Sequence, residues 1–195
     1  MPRPRASEKE QALVEAAIEL FLQKGVRSTT VKEITERAGV ATGTFYVYYK
    51  DKVAIIRAFA YAFADQHRGM AESILKSGRP PTDKLSQYVL GLFDLWQPFG
   101  ENTTGPVEVA EAVIRHAPET LGIAQEQFLK TVEEILKEAK AFGGAVEDPQ
   151  AEARWIAYAT AAFFPLAGTP AERAFAESLN RTQLEGLIHW LAKRF

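Results

Sequence analysis

The stretch "TTVKEITERAGVATGTFYVYYKDK", residues 29–52, decides the fold of the N-terminal part of this chain. Thr30 is followed three residues later by Glu33, a capping-box pattern that predicts the start of a short helix. Gly39 supplies the left-handed backbone that a tight turn needs, and a further short helix is predicted over about residues 42–50. Two short helices joined by such a turn are typical of a helix-turn-helix.

Apolar residues recur at helical spacing through the rest of the sequence, and no stretch alternates as a strand would. The first helix is predicted to begin at Ser7 and to stop at Gly25, and a long helix to begin at Asp51. Breaks are predicted at residues 77–83 and 97–106. Later features complete the pattern: helices on both sides of Pro118, an apolar helix from Asp148 to Leu166, and a last helix capped by Thr169 and opened by Pro170.

We therefore expect an all-α protein with two parts. Residues 1–52 are predicted to form a three-helix helix-turn-helix DNA-binding domain, linked through the long helix that starts near residue 51. Residues 53–195 are predicted to form a larger helical domain, whose role in effector binding and dimerisation is implied by the resemblance described below.

Composition limits the class of protein. The 195 residues carry a net charge of −2 and include no cysteine, which excludes a disulfide framework and a thiolate metal site. The N-terminal "MPRPRASEKE" lacks the apolar segment of a signal peptide, and no apolar run approaches the roughly 18 residues of a spanning helix. We expect a cytoplasmic protein with no membrane partner. Although residues 1–52 hold nine basic and seven acidic residues, no acidic residue lies between Ala38 and Lys50.

The helix after the turn is predicted to have a buried and an outward face. Phe45 and Tyr49 lie four residues apart and are expected to pack inward. Small uncharged side chains let a helix approach base edges, whereas tyrosine hydroxyls and lysines reach phosphates. The predicted DNA-binding residues are Thr29, Thr30, Thr42, Gly43, Thr44, Tyr46, Val47, Tyr48, Lys50 and Lys52. Arg3 and Arg5 are expected to reach a minor groove. Spacing alone leaves open that the segment is only a structural motif and that its aromatic cluster is core.

Residues 29–52 resemble the DNA-binding domain of the TetR family of bacterial transcriptional regulators. The resemblance rests on the threonine pair, the block Ile34, Ala38, Gly39 and Val40, the pairs Gly43-Thr44 and Phe45-Tyr46, and Lys52. Two residues depart from the family pattern, because Thr35 stands in place of alanine and Tyr49 in place of phenylalanine. The resemblance implies a homodimer on a palindromic operator, usually as a repressor, with a small-molecule effector held in each C-terminal domain.

Dimerisation has separate support in the apolar C-terminal helices. We predict a four-helix interface built from two helices of each subunit. Its predicted residues are Ala159, Ala162, Phe163, Leu184, Leu187, Ile188 and Leu191. The alternative is that these helices cover the core of a single subunit.

The effector is expected to be small and apolar or aromatic, because aromatic side chains are numerous in the C-terminal part. The predicted ligand-binding residues are Phe63, Phe93, Trp96, Phe99, His116, Phe128, Trp155 and Tyr158. Glu108 and Glu111 lie three apart, as in half a carboxylate metal site or on a solvated helix face. No cofactor or metal is predicted.

An enzyme is not predicted. The three histidines, His67, His116 and His189, are widely separated, and no nucleophile elbow, zinc motif or phosphate-binding loop occurs. An all-α enzyme is the less favoured alternative. A DNA-bound structural protein without an effector is the other.

Overall fold

The computed structural model describes residues 7–101, 103–164, 175–176 and 178–193. Within these residues the secondary structure is helical and includes no strand, which confirms the predicted all-α class. The helices are α1 (Glu8–Lys24), α2 (Val31–Arg37), α3 (Thr42–Tyr48), α4 (Lys52–Lys76), α5 (Pro81–Gly100), α6 (Thr104–His116), α7 (Glu119–Ala141), α8 (Pro149–Thr160) and α9 (Arg181–Ala192), with a 3₁₀ turn at Ala161–Phe163. None of them is long and apolar enough to cross a membrane.

The chain divides into two compact units that are not continuous in sequence. The first unit contains the described part of residues 1–62 together with 103–118, and the second contains that of 63–102 and 119–195. Helix α4 runs through the division, and α6 belongs to the first unit. These limits differ from the predicted domain boundary at residue 52. The first unit includes α6, which is distant in sequence from the other helices of that unit.

Local side-chain chemistry sets the ends of α1 and α2. The hydroxyl of Ser7 accepts a hydrogen bond from the amide of Glu10 at the start of α1. Thr30 and Glu33 form a complete capping box at the start of α2. Hydrogen bonds from Lys24 and Thr30 lower the pKa of Glu33 to about 2, so the capping carboxylate stays ionised. The predicted caps are confirmed.

Helix α6 packs against α1 at a glycine. Gly105 is buried, and a β-carbon placed on it would lie 1.8 Å from the carbonyl oxygen of Leu22. Only a residue without a side chain allows the two backbones to approach this closely. Gly105 therefore fixes α6 within the first unit.

The core of the second unit combines α5, α7, α8 and α9. Its fully buried side chains include Leu85, Tyr88, Val89, Val132, Ile135, Leu136, Leu184 and Ile188. Lys84 is also buried, and its ammonium donates to both carboxylate oxygens of Glu138 and to the carbonyl of Leu75. The buried cation is thus paired and hydrogen-bonded, as a charge in an apolar interior must be.

Two predicted boundaries in the C-terminal part are wrong. The break at residues 97–106 is shorter, because α5 continues through Pro98 to Gly100 and α6 begins at Thr104. Pro106 is the third residue of α6, where the amide has no intrahelical partner and proline removes no hydrogen bond. The last helix begins at Arg181, because the side chain of Asn180 caps it. Thr169 and Pro170, the predicted start of that helix, lie outside the described residues, as does Leu166.

Candidate nucleic-acid interface and effector site

Helix α3 has one buried and one exposed face, as the sequence predicts. Phe45 is fully buried and Tyr49 is 5% exposed, whereas Tyr46 is 59% and Val47 77% exposed. The ring of Phe45 meets that of Tyr46 at 5.4 Å in an edge-on contact, which orients the exposed tyrosine. Thr42 and Gly43 are also exposed, and Thr44 is half-buried. This small outward face is uncharged.

Two of the predicted DNA-binding residues have polar groups that are hydrogen-bonded within the chain. Thr29 is buried, and its hydroxyl donates to the carbonyl of Gly25 at 2.8 Å. The Lys52 ammonium donates to the carbonyls of Val26 at 2.7 Å and Thr29 at 2.8 Å. These bonds hold the segment between α1 and α2. Sequence spacing placed both residues near the turn but does not reveal that their polar groups are already bonded.

The other predicted residues around α3 stay at the surface. Thr30 is exposed and Lys50 is exposed, while the half-buried Tyr48 has a hydroxyl that accepts from Ser7 at 2.9 Å. Tyr49, one of the two departures from the family pattern, has its hydroxyl 3.4 Å from the Glu10 carboxylate. A buried phenol needs such a partner, and Glu10 supplies it.

Thr35, the other departure, ties α2 to the start of α3. Its hydroxyl donates to the carbonyl of Lys32 at 2.9 Å and lies 3.3 Å from the hydroxyl of Thr42. Since Thr35 is 1% exposed, these contacts satisfy a buried polar group. The sequence alone identifies Thr35 as a departure from the family pattern within the helix-turn-helix. It does not reveal this link to Thr42.

Predicted effector residues meet in an aromatic cluster of the second unit. The ring of Phe63 lies 4.6 Å from Trp96 and 5.5 Å from Phe99, in both cases edge-on. One turn along α4 from Phe63, His67 is 2% exposed, and its Nε2 lies 2.6 Å from the Tyr88 hydroxyl. Phe128 stacks on the Tyr88 ring at 5.7 Å.

Burial changes the acid–base properties of this histidine–tyrosine pair. It lowers the pKa of His67 to about 4 and raises the pKa of Tyr88. His67 is therefore neutral at physiological pH, with one ring nitrogen as donor and the other as acceptor. Its Nδ1 has no hydrogen-bond partner in the structure. An unsatisfied buried nitrogen costs about 1–3 kcal/mol.

A cavity of about 490 Å³ lies beside the aromatic cluster within the same unit. Arg181 crosses its wall to Asp94, with Nε and carboxylate oxygen 3.2 Å apart. The lining residues are Phe93, Asp94, Trp96, Gln97, Glu101, Phe163, Phe164, Ala176, Leu179, Asn180 and Arg181. Two of the predicted ligand residues, Phe93 and Trp96, thus face open space.

Three predicted ligand residues do not join this site. His116 belongs to the first unit, where its carbonyl accepts a hydrogen bond from Arg57. Trp155 and Tyr158 are 68% and 69% exposed on α8. Their aromatic character suggested a pocket wall, but the buried face of α8 is formed by Ala153, Ile156 and Thr160.

The predicted dimer residues include both buried and exposed side chains. Leu184, Ile188 and Leu191 are buried within their own subunit, as expected if these helices cover the core of a single subunit. Phe163 and Leu187 are half-buried, and Ala159 and Ala162 are exposed. Helical spacing identifies an apolar face but does not say what covers it.

An exposed apolar surface does occur on α8, the 3₁₀ turn that follows it, and α9. We define the aromatic face as the exposed residues Trp155, Tyr158, Ala159, Ala162 and Trp190. Trp155, Ala159 and Trp190 line one groove of about 860 Å³. The sequence around α8 carries the signal for this face, because Trp155, Tyr158, Ala159 and Ala162 recur at helical spacing.

The two carboxylates of α6 are paired with a cation. Glu108 accepts a hydrogen bond from the backbone amide of Arg27 at 2.9 Å, and the Arg27 guanidinium lies 3.6 Å from both Glu108 and Glu111. In the described part of the chain, no cluster of three acidic or histidine side chains is placed to hold a metal ion.

The sequence and the fold both match known proteins. A family model described as bacterial regulatory proteins of the tetR family matches residues 13–59, the segment that contains α2 and α3. Residues 13–59 are thus similar to the DNA-binding segment of the tetR family of bacterial regulatory proteins. One relative, the HTH-type transcriptional repressor KstR2 of Mycolicibacterium smegmatis, is 28% identical over 93 residues, or 48% of this chain and 45% of that protein. The first curated relatives are matched over only 30–45% of their own length.

Solved structures of transcriptional regulators match nearly the whole chain. A putative TetR-family transcriptional regulator from Mesorhizobium loti has a TM-score of 0.67 at 16% identity, with 98% of this chain and 96% of that chain covered. FadR from Bacillus subtilis, in complex with stearoyl-CoA, has a TM-score of 0.63 at 18% identity, with 95% and 98% covered. At these identities the likeness shows the fold alone.

Proposed function

We propose that this chain is a ligand-responsive transcriptional regulator of the TetR family, a repressor that binds a palindromic operator as a homodimer and leaves it when an effector binds. The observation that supports this proposal most is that α3 has one buried and one exposed face. Its Phe45 and the neighbouring Tyr49 anchor the helix in the unit, and an uncharged outward face carries Tyr46 and Val47. A helix exposed in this way after a tight turn has the form that enters a major groove.

In this proposal the exposed and half-buried residues around α3 divide into two kinds of contact. Thr42, Gly43, Thr44, Tyr46 and Val47 lie at base edges, because they are small or uncharged. Thr30, Tyr48 and Lys50 contact phosphates, which position the protein without reading sequence. Thr29 and Lys52 make neither kind of contact, since their polar groups bind the chain itself.

The second copy is proposed to cover the aromatic face. Trp155, Tyr158 and Trp190 are each more than half exposed, and exposed aromatic patches of this kind mark protein interfaces. The alanines 159 and 162 beside them allow two helices to approach closely. A two-fold axis through this face gives the symmetric protein that a palindromic operator requires.

The effector is proposed to occupy the region of Phe63, Phe93, Trp96 and Phe99, with Nδ1 of His67 as its polar contact. Aromatic walls with a few placed polar groups are typical of small-molecule sites. We infer a small apolar or aromatic compound with one hydrogen-bonding group. It shifts the population of subunit shapes only to the extent that it binds one shape more tightly than the other. Helix α4 contributes Phe63 and His67 to the site and is the proposed coupling element.

A DNA-bound structural protein without an effector is the second candidate function. The 490 Å³ cavity and the unsatisfied nitrogen of His67 favour the regulator over it, because a protein with no ligand has no need for either.

The test is an in vitro selection of binding sites from random-sequence duplex DNA by the full chain. The selected duplex is then titrated by fluorescence anisotropy at two salt concentrations, because phosphate contacts make affinity salt-dependent. We expect a palindromic sequence whose binding Tyr46→Phe and Lys50→Ala weaken, while Ile123→Ala, an exposed residue of α7, leaves it unchanged. Failure to enrich any sequence would contradict the proposal.

A further inference from the structure

The exposed face of α3 has a restricted chemistry. The helix is "TGTFYVY", residues 42–48, and holds no charged side chain and no side-chain amide. Of its seven residues, Phe45 is the buried one, and Tyr46 and Val47 present the largest exposed side chains. The groups that α3 offers to a partner are hydroxyls, one aromatic ring and one aliphatic side chain.

This chemistry limits which bases α3 can recognise. The strong base contacts in the major groove join Arg or Lys to guanine, Asn or Gln to adenine, and Asp or Glu to cytosine. Residues 42–48 contain none of these six types. An aliphatic side chain has one specific partner in the groove, the 5-methyl group of thymine, whereas threonine hydroxyls contact bases of either kind.

Val47 is the aliphatic group in question. It is 77% exposed, so the folded unit gains little from its isopropyl group. Valine is also a weaker helix former than the long unbranched residues common on exposed helix faces. Neither packing nor helix propensity within the chain therefore accounts for a valine at this position, whereas an apolar contact with an external group does.

We infer that Val47 is a specificity-determining residue that recognises the 5-methyl group of a thymine in each operator half-site. This inference rests on the proposed function, because it names the base chemistry that the same DNA-binding surface selects. The contact transfers an apolar methyl group out of water against an aliphatic side chain. It discriminates thymine from every base that lacks the methyl group.

The test uses the duplex selected in the experiment above and replaces one symmetric pair of thymines at a time by deoxyuridine. Deoxyuridine removes the methyl group and keeps every hydrogen-bonding atom of the base edge. Affinities are measured for the full wild-type chain, Val47→Ala and Tyr46→Phe, with Ile123→Ala as the control for an exposed aliphatic residue elsewhere. Circular dichroism and urea unfolding establish that each variant is folded.

We expect one symmetric pair at which deoxyuridine weakens wild-type binding by roughly fourfold for each methyl group removed, the factor for one buried methyl. Val47→Ala is expected to weaken binding to the thymine duplex and to abolish the deoxyuridine effect at that pair. Tyr46→Phe and Ile123→Ala are expected to retain the effect.

Two results would overturn the inference while leaving the proposed function standing. One is that deoxyuridine has no effect at any position of a duplex that is bound selectively. The other is that Val47→Ala remains as sensitive to deoxyuridine as the wild type at every pair. If no duplex is selected at all, the proposed function fails and takes this inference with it.

Discussion

A β-carbon on Gly105 would lie 1.8 Å from the carbonyl oxygen of Leu22, so α6 and α1 touch through their backbones. The contact joins two helices of one compact unit that are separated by about eighty residues of sequence. Any side chain at this position forces the helices apart.

Gly105→Ala is accordingly expected to lower the free energy of unfolding by at least about 2 kcal/mol, as over-packing against backbone does. The measurement is urea unfolding followed by circular dichroism. Gly122→Ala in α7 is the matched control, because a β-carbon there meets nothing within 4 Å. That control should raise stability by about 0.5–1 kcal/mol, since alanine favours helix. Equal effects of the two substitutions would contradict the backbone contact.

Substitutions of Lys52 and Lys50 should distinguish a lysine that stabilises the fold from one that contacts DNA phosphates. Lys52→Met leaves the carbonyls of Val26 and Thr29 without their donor and is expected to cost about 1–3 kcal/mol of stability. Lys50→Met should change stability by less than about 0.5 kcal/mol, because Lys50 is exposed. It should instead reduce the log–log slope of DNA affinity against salt by about one unit for each phosphate that the lysine neutralises. The opposite assignment of effects would place Lys52 in the DNA contact after all.

Gly43 tests whether DNA approaches the backbone of α3. Nothing in the folded chain lies within 4 Å of a β-carbon at this position. Gly43→Ala is therefore expected to keep or slightly raise stability, since alanine is the better helix former. Selective DNA binding should weaken roughly tenfold if a base edge or phosphate occupies that space. Anisotropy titration beside thermal unfolding measures both quantities, and unchanged affinity would place the groove surface elsewhere on α3.

His67 should make stability depend on pH. Its pKa is about 4 in the folded protein, below the value of about 6.5 in the unfolded chain. Between these values the unfolded state binds more protons, so stability is full above pH 6.5 and falls as pH decreases towards 4. The loss amounts to about 2–3 kcal/mol over this window.

The check is the slope of unfolding free energy between pH 6.5 and 4.5. His67→Gln should flatten that slope, because glutamine does not titrate. His189→Gln, at an exposed residue of α9, is the control and should keep the wild-type slope. A slope that persists in His67→Gln would assign the pH dependence to other groups.

Ala159 tests the proposed dimer. Ala159→Glu places a charge in the middle of the aromatic face, where burial against a second copy would leave it unpaired. We expect sedimentation to show monomers and DNA binding to lose its selectivity. Phe142→Glu is the control, because Phe142 is 78% exposed and lies outside this face. Dimers that persist in Ala159→Glu would move the interface to another surface.

Local chemistry made the N-terminal elements predictable. The caps formed by Ser7 and Thr30 and the turn at Gly39 depend on residues within four positions, which a sequence displays directly. The outward position of Tyr46 and Val47 followed from the inward position of Phe45. These contacts hold whatever the rest of the chain does.

The remaining features could not be predicted, because they depend on contacts between residues that are distant in sequence. The apolar spacing of Leu184 and Ile188 is the same whether they face a partner or their own core, and the structure places them in the core. Thr29 and Lys52 are residue types that often contact phosphates, but their side chains donate hydrogen bonds to loop carbonyls. The placement of α6 in the first unit depends on the close approach of the backbones at residues 22 and 105, which no local sequence pattern indicates.

The division of the first unit into two sequence segments has a consequence during synthesis. A nascent chain that has emerged only as far as Ala62 has α1, α2 and α3 but not the α6 that covers α1. The unit becomes whole only when residue 118 has left the ribosome, after α5 and α6 have both been made. The helix-turn-helix of this chain therefore completes its packing late, and a fragment cut after α3 or within α4 lacks part of its own interior.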